Sequence, residues 1–254
     1  MTDEQQDKPL YLGHRERLRV RFLADNGASM PDYEILELLL TMSIPRRDVK
    51  PLAKKLIARY GDIGGVLHAP AHELIEICGL SVNTLALLKV VSTCALRSSS
   101  ACFSDSDQPI IAYWDQFEDY CRQLMAYNDV EEFRVFFFDD ALHYKGNRLM
   151  NTGTVNKTMA HPREIIKAAL DNKAVIIVLA HNHPSGECKP SAADKQLTEE
   201  IKMVAEAMDI EVYDHLIVTR NEIFSFRNSG FNLSKKKKNL KTIFRTLICI
   251  SKFW

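Results

Sequence analysis

The stretch Ala174-Val-Ile-Ile-Val-Leu-Ala180, followed by His181-Asn-His-Pro-Ser-Gly-Glu-Cys-Lys-Pro-Ser-Ala-Ala-Asp194, decides how this chain reads. Seven consecutive apolar residues rich in valine and isoleucine fit a strand covered on both faces. His181 and His183 stand two apart, so in extended chain both imidazoles point the same way. Pro184, Ser185 and Gly186 then turn the chain. Ser191-Ala-Ala-Asp194 opens a helix that brings Asp194 back toward the strand end. Two imidazoles and a carboxylate converging in this way supply three ligands for a tetrahedral metal and leave the fourth position to water. The same residues also fit a polar surface turn followed by a serine-capped helix with an acid in its first turn. From the residues alone both readings stand.

Outward from this stretch the pattern divides the chain. Residues 13–97 read as short helices: Glu34 to Leu40, Pro51 to Ile57 and Asn83 to Leu96 carry apolar residues at helical spacing, and Pro31, Pro51 and Pro70 sit where helices start. The expected domains are a helical one over 1–97, a small, polar linker over 98–109, a second domain over 110–230, and a tail over 231–254. In the second domain Tyr113 to Tyr127 reads as a helix and Glu132 to Asp139 as a strand. Arg148 to Asn151 reads as a paired strand, Pro162 to Leu170 and Ser191 to Met208 as helices. Glu211 to Thr219 and Glu222 to Phe226 form a hairpin around Arg220-Asn221. The expected class is α/β (α+β), with a central mixed sheet flanked by helices.

Composition narrows the setting. Apolar residues make up 46% and charged residues 26% of the 254, ordinary for a globular protein. No signal peptide or membrane span is legible, so a cytoplasmic protein is expected. The six cysteines are scattered with no CxxC pair, which argues against a disulfide framework or a cysteine-built zinc site. The net charge of zero hides an uneven distribution. Residues 231–254 hold seven Lys or Arg and no acid, while residues 8–60 hold eleven Lys or Arg against six Asp or Glu. A basic N-terminal module can face a polyanion such as DNA, or can be an ordinary solvated surface.

His181-Asn-His183-Pro184, then six residues, then Ser191-Ala-Ala-Asp194, matches the JAMM metalloprotease motif HxHP-x6-S-x2-D at every defined position. Together with Asn151-Thr-Gly-Thr154, His161 to Leu170 (HPREIIKAAL) and Asp214 to Val218 (DHLIV), the chain resembles the bacterial RadC family over roughly residues 12–230. The resemblance implies a JAB/MPN, cytidine-deaminase-like fold and one Zn2+ held by His181, His183 and Asp194. It also implies a glutamate on the first strand of the domain. Glu131 and Glu132 both stand there; alternation lets only one face the site, and counting back from Asp139 to the glutamate position of similar RadC sequences selects Glu131. The implied chemistry is amide or isopeptide hydrolysis, with Glu131 taking a proton from water and returning it to the leaving amine. Ser191 would hydrogen-bond the developing oxyanion, in competition with its role as a helix cap.

Weaker features accompany these. The Asp214-His215 pair can orient a ligand histidine or form a structural pair at a strand edge. Asn182 and Ser185 can line the pocket or merely form the turn, and Cys188 is not expected to be a ligand. Ile77 to Ser81 resembles a helix-hairpin-helix turn, with Ser81 in place of the usual second glycine. Arg15, Arg17, Arg19 and Arg21 are the electrostatic candidates for DNA. In the tail, Leu240, Ile243, Phe244, Leu247 and Ile248 fall at helical spacing, as a basic amphipathic helix or an atypical extension would. The functions in contention are therefore a zinc-dependent peptidase or isopeptidase acting on a protein or peptide, a DNA-binding accessory protein of repair or replication, and a metal-dependent nuclease. The single carboxylate in the motif counts against the last.

Overall fold

The computed structural model describes residues 13–104, 108–153 and 160–233. Thr154 and the basic stretch from Ser234 onward, including the helically spaced residues of the tail, lie outside them. The chain divides into two compact units, Met1–Ser98 and Ser99–Trp254.

Unit 1 is helical: α1 (His14–Asp25), α2 (Asp32–Ser43), α3 (Lys50–Tyr60), α4 (Ile63–His68), one π turn (Glu73–Ile77) and α5 (Val82–Ser104), which runs on into unit 2. Its core gathers Leu36, Leu40, Leu56, Val66, Leu74 and Leu88, all with no exposed surface. Pro51 lies in the first turn of α3, where its missing N–H costs nothing. Gly79 turns the chain between the π turn and α5 at φ +69°, which a side chain would strain. Ser81 needs no such conformation: its hydroxyl caps α5 by accepting from the Thr84 N–H at 3.2 Å. The first half of the expected 98–109 linker is helical, because α5 continues to Ser104. Among the described residues α5 is also the one helix with the length and composition of a membrane span. Leu88 of that helix nevertheless packs in the unit 1 core.

Unit 2 is built on a five-stranded sheet in the order β2-β1-β3-β4-β5. The strands are β1 (Glu131–Phe138), β2 (Tyr144–Gly153), β3 (Ile176–Asn182), β4 (Glu211–Val218) and β5 (Ile223–Ser225). All pairings are antiparallel except β3 with β4. That parallel pair is joined through α8 (Ala192–Ala207), since parallel neighbours need a long crossover. Every residue of β3 is buried, as its unbroken apolar run requires.

Alternation sends Phe133, Val135 and Phe137 of β1 to one face with Ile177 and Leu179 of β3. There they pack with Ile165 and Ala169 of α7 (Pro162–Asp171) and with Leu197 and Ile201 of α8. Phe136 and Phe138 go to the other face and meet Phe117 of α6 (Trp114–Met125) edge-on at 5.0 and 5.8 Å. Burying each such ring is worth about 1.5–3 kcal/mol, so the sheet holds its site on a rigid base. The class is the expected one, a mixed α/β fold whose central sheet carries helices on its faces.

Candidate metal centre

The site forms where β3 leaves the sheet. His183 N–H still bonds Val218 O at 3.0 Å, so extended geometry persists one residue past the strand and both imidazoles share a face. The turn then closes through Gly186 N–H to His183 O at 3.0 Å, with Gly186 at φ +81°. Ser191 caps α8. Its hydroxyl accepts from Asp194 N–H at 3.1 Å, while Asp194 Oδ2 accepts from both Ser191 N–H and Ser191 Oγ–H at 2.7 Å. This capping box turns the Asp194 carboxylate toward the histidines. His181 Nε2 lies 2.9 Å from His183 Nε2 and 3.3 Å from Asp194 Oδ1, and His183 Nε2 lies 3.7 Å from Asp194 Oδ2.

One ligand atom from each of the three residues falls within a 4.8 Å span. Tetrahedral donors about 2.0–2.1 Å from one zinc stand about 3.3 Å apart, so the observed spacings are those of a nearly assembled ligand set. The chemistry of the donors agrees. His183 Nδ1 lies 2.7 Å from Glu187 O, an atom that only accepts, so Nδ1 carries the proton and Nε2 keeps its lone pair. Burial raises the pKa of Asp194, but contact with the His181 ring and the hydrogen bonds from Ser191 together outweigh this and hold it well below the ordinary carboxylate range. Asp194 therefore stays anionic. His181, His183 and Asp194 form a group that can hold a metal ion.

The surrounding residues sort themselves by side of the sheet. His215 packs against His181, with its Nε2 2.8 Å from His181 Nδ1. It faces the site because β4 bulges at Tyr213, where the register passes from Ile177↔Val212 to Val178↔Asp214. Plain alternation from Val212 would have put Asp214 there. Burial drives His215 well below the usual histidine pKa, leaving a neutral ring stacked on Phe226 at 4.8 Å. Asp214, the other half of the expected pair, points to the opposite face and accepts from Ser225 Oγ–H at 2.6 Å and Arg227 N–H at 3.0 Å. Cys188 Sγ contacts Ile217 O at 3.6 Å and is not part of the metal-binding group.

Glu131 and Glu132 separate by the same rule. Phe133 is the register partner of His181 and stacks parallel to its ring. Glu131, two residues before Phe133 on a regular stretch of β1, thus shares the face of His181. Glu132 lies on the other face, paired with Arg134 at 3.0 Å.

Asn182 neither lines the pocket nor forms the turn. It is fully buried on the face away from the two histidines. Its side chain accepts from Glu132 N–H at 2.7 Å and donates to Val130 O at 3.1 Å and Asn128 O at 3.3 Å. These bonds clamp the chain on both sides of Glu131. The sequence signal was present, since the middle residue of an extended HxH must face away from both histidines. Asn182→Ala strips three partly buried main-chain groups of this partner. At about 1–3 kcal/mol for a group left unsatisfied, we expect the loss in stability by chemical denaturation to reach about 2–4 kcal/mol. A loss under about 1 kcal/mol would mean that the start of β1 is held by other contacts.

In unit 1, Arg15 spends its guanidinium on the carbonyls of Ile44, Pro45 and Arg47, and Arg21 pairs with Glu34 at 2.9 Å. Two of the four candidate arginines are thus committed to the protein itself.

A mixed five-stranded sheet that presents two histidines at a strand end and an aspartate from the following helix defines a protein with a JAB-type domain. Residues 111–231 match the family model for the RadC-like JAB domain. A UPF0758 protein of Ruegeria pomeroyi is 40% identical over 224 residues, covering 88% of this chain and 99% of its own length. The chain belongs to the RadC family.

Proposed function

We propose that unit 2 is a zinc-dependent amide hydrolase, a peptidase or isopeptidase of the JAMM type. The observation that carries this reading is the convergence of two imidazole Nε2 atoms and one carboxylate within 4.8 Å at the rim of a rigid sheet. His181, His183 and Asp194 hold the ion, and Ser191 keeps Asp194 turned toward it. A zinc ion in such a site lowers the pKa of water toward about 7 and polarises a carbonyl. Glu131, on the same face, takes the proton from the attacking water and passes it to the amine that leaves. Ser191 stands where it can steady an oxyanion, but its one hydroxyl proton now serves Asp194 Oδ2, so that role requires it to exchange partners. The side chains of His183 and Asp194 are only 13% and 18% exposed, enough for a substrate to reach from one side while the opposite side stays dry. A single carboxylate among three ligands suits one zinc better than a two-metal nuclease centre, which uses more acids.

The test is elemental analysis of the purified full-length chain, followed by cleavage of a fluorogenic peptide library. The expected result is about one zinc per chain and hydrolysis that a chelator stops and added zinc restores. A protein that takes up no metal after zinc is supplied would overturn the reading.

A further inference from the structure

We infer that Thr198 and His215 form a relay that fixes the tautomer of His181, keeping its Nε2 lone pair bare for the metal ion. The inference rests on the metal-dependent reading above, and it follows from which atoms can donate. The relay begins at the main-chain carbonyl of Asp194, which can only accept. Thr198, one helical turn further along α8, gives its hydroxyl proton to that carbonyl at 2.5 Å. The same oxygen lies 2.7 Å from His215 Nδ1. With its one proton already placed, it can only accept there, so His215 Nδ1 carries the hydrogen. His215 has no exposed surface, and its ring nitrogens meet a hydroxyl and an imidazole rather than a carboxylate, so the buried ring carries no charge and its Nε2 keeps a lone pair. That lone pair lies 2.8 Å from His181 Nδ1, so Nδ1 of His181 must be the donor. The lone pair of His181 is then on Nε2, the atom facing His183 and Asp194.

Asp194 therefore acts twice. Its carboxylate is one ligand, and its carbonyl anchors the chain of hydrogen bonds that aims another. His183 reaches the same tautomer independently, through Glu187 O at 2.7 Å. Two separate devices thus set the two histidines, and only one of them passes through Thr198.

Removing the Thr198 hydroxyl while keeping its shape, in Thr198→Val, takes away the acceptor that holds His215 Nδ1–H. The buried ring then gains more by moving its proton to Nε2 and donating to His181 Nδ1. His181 must in turn carry its proton on Nε2, where it blocks the ligand position. Thr198 is accordingly a positioning residue, acting through His215.

The experiment is nitrogen NMR of the metal-free full chain with labelled histidines, in wild type, Thr198→Val and Thr198→Ser, together with zinc affinity by chelator competition. In wild type, Nδ1 of His181, His183 and His215 is expected to be protonated. In Thr198→Val, Nδ1 of His181 and His215 loses its proton while His183 is unchanged. Zinc affinity falls about 10–100-fold, the usual cost of losing a partner that orients a ligand, and Thr198→Ser restores both readouts. Wild-type His181 bearing no proton on Nδ1 would overturn the relay even if Thr198→Val failed to fold. So would a folded Thr198→Val that kept wild-type tautomers and affinity. If the wild type binds no zinc, the hydrolase reading falls, while the nitrogen spectra still decide the relay.

Discussion

His181→Ala and Asp194→Ala are each expected to empty the site of zinc, with affinity reduced more than about 100-fold, since even partners one shell removed from a metal are worth about 10–100-fold. Both residues offer a donor atom directly to the ion's position, and each deletion leaves only two protein ligands where catalytic zinc uses three. The loss should also register in stability. An ion that binds only the folded state adds about 2.7 kcal/mol when present at 100 times its Kd. For a protein of this size that raises Tm by roughly 5–10 °C. Wild type should show this shift on adding zinc, and the two variants should not. Equal shifts in all three would place the zinc elsewhere in the chain.

Why the site could be read from the sequence while its surroundings could not follows from the range of the interactions involved. His181, His183 and Asp194 lie within fourteen residues, and local geometry alone brings them together: a period-two strand aims both imidazoles, and a capped helix returns the acid. The strand β3 announced itself because burial on both faces demands an unbroken apolar run. Residue Thr198 sits at helical spacing from Asp194, so its place on the same side of α8 was legible, but its partner was not. His215 reaches the site only because β4 bulges at Tyr213, and no residue type marks that bulge. Strand β2 was seen only over Arg148 to Asn151, although it spans Tyr144–Gly153. Register breaks that skip Lys145 and Met150 spoil the alternation by which a strand is recognised. The run Ser98 to Ser104 looked like linker because serines are weak helix formers. It is helical nonetheless: Phe103 packs edge-on against Phe117, Tyr120 and Tyr144, and Ser99 Oγ–H bonds Gln123 at 3.0 Å. Tertiary contact outweighs local preference there.

Glu131→Gln is expected to leave the zinc in place and remove the turnover. The substitution keeps size and shape but takes away the group that receives a proton from water and hands it to the leaving amine. Positioned general acid–base groups contribute about 10²–10⁴-fold, so kcat for any amide substrate should fall by about a thousandfold. Zinc content and KM should change little, because Glu131 neither ligates the ion nor holds the ground state. The neighbouring residue supplies the control. Glu132 lies on the opposite face with its carboxylate on Arg134, so Glu132→Gln should cost about 1–3 kcal/mol of stability and leave kcat within a factor of about two. The two substitutions are chemically identical and one residue apart, and only the period of the strand separates their outcomes. The comparison is made by measuring kcat, KM and bound zinc for both variants with one substrate. If Glu132→Gln is the dead enzyme and Glu131→Gln the active one, the face assignment of β1 is reversed. If both turn over at the wild-type rate, the proton travels by another group and the JAMM mechanism does not operate here.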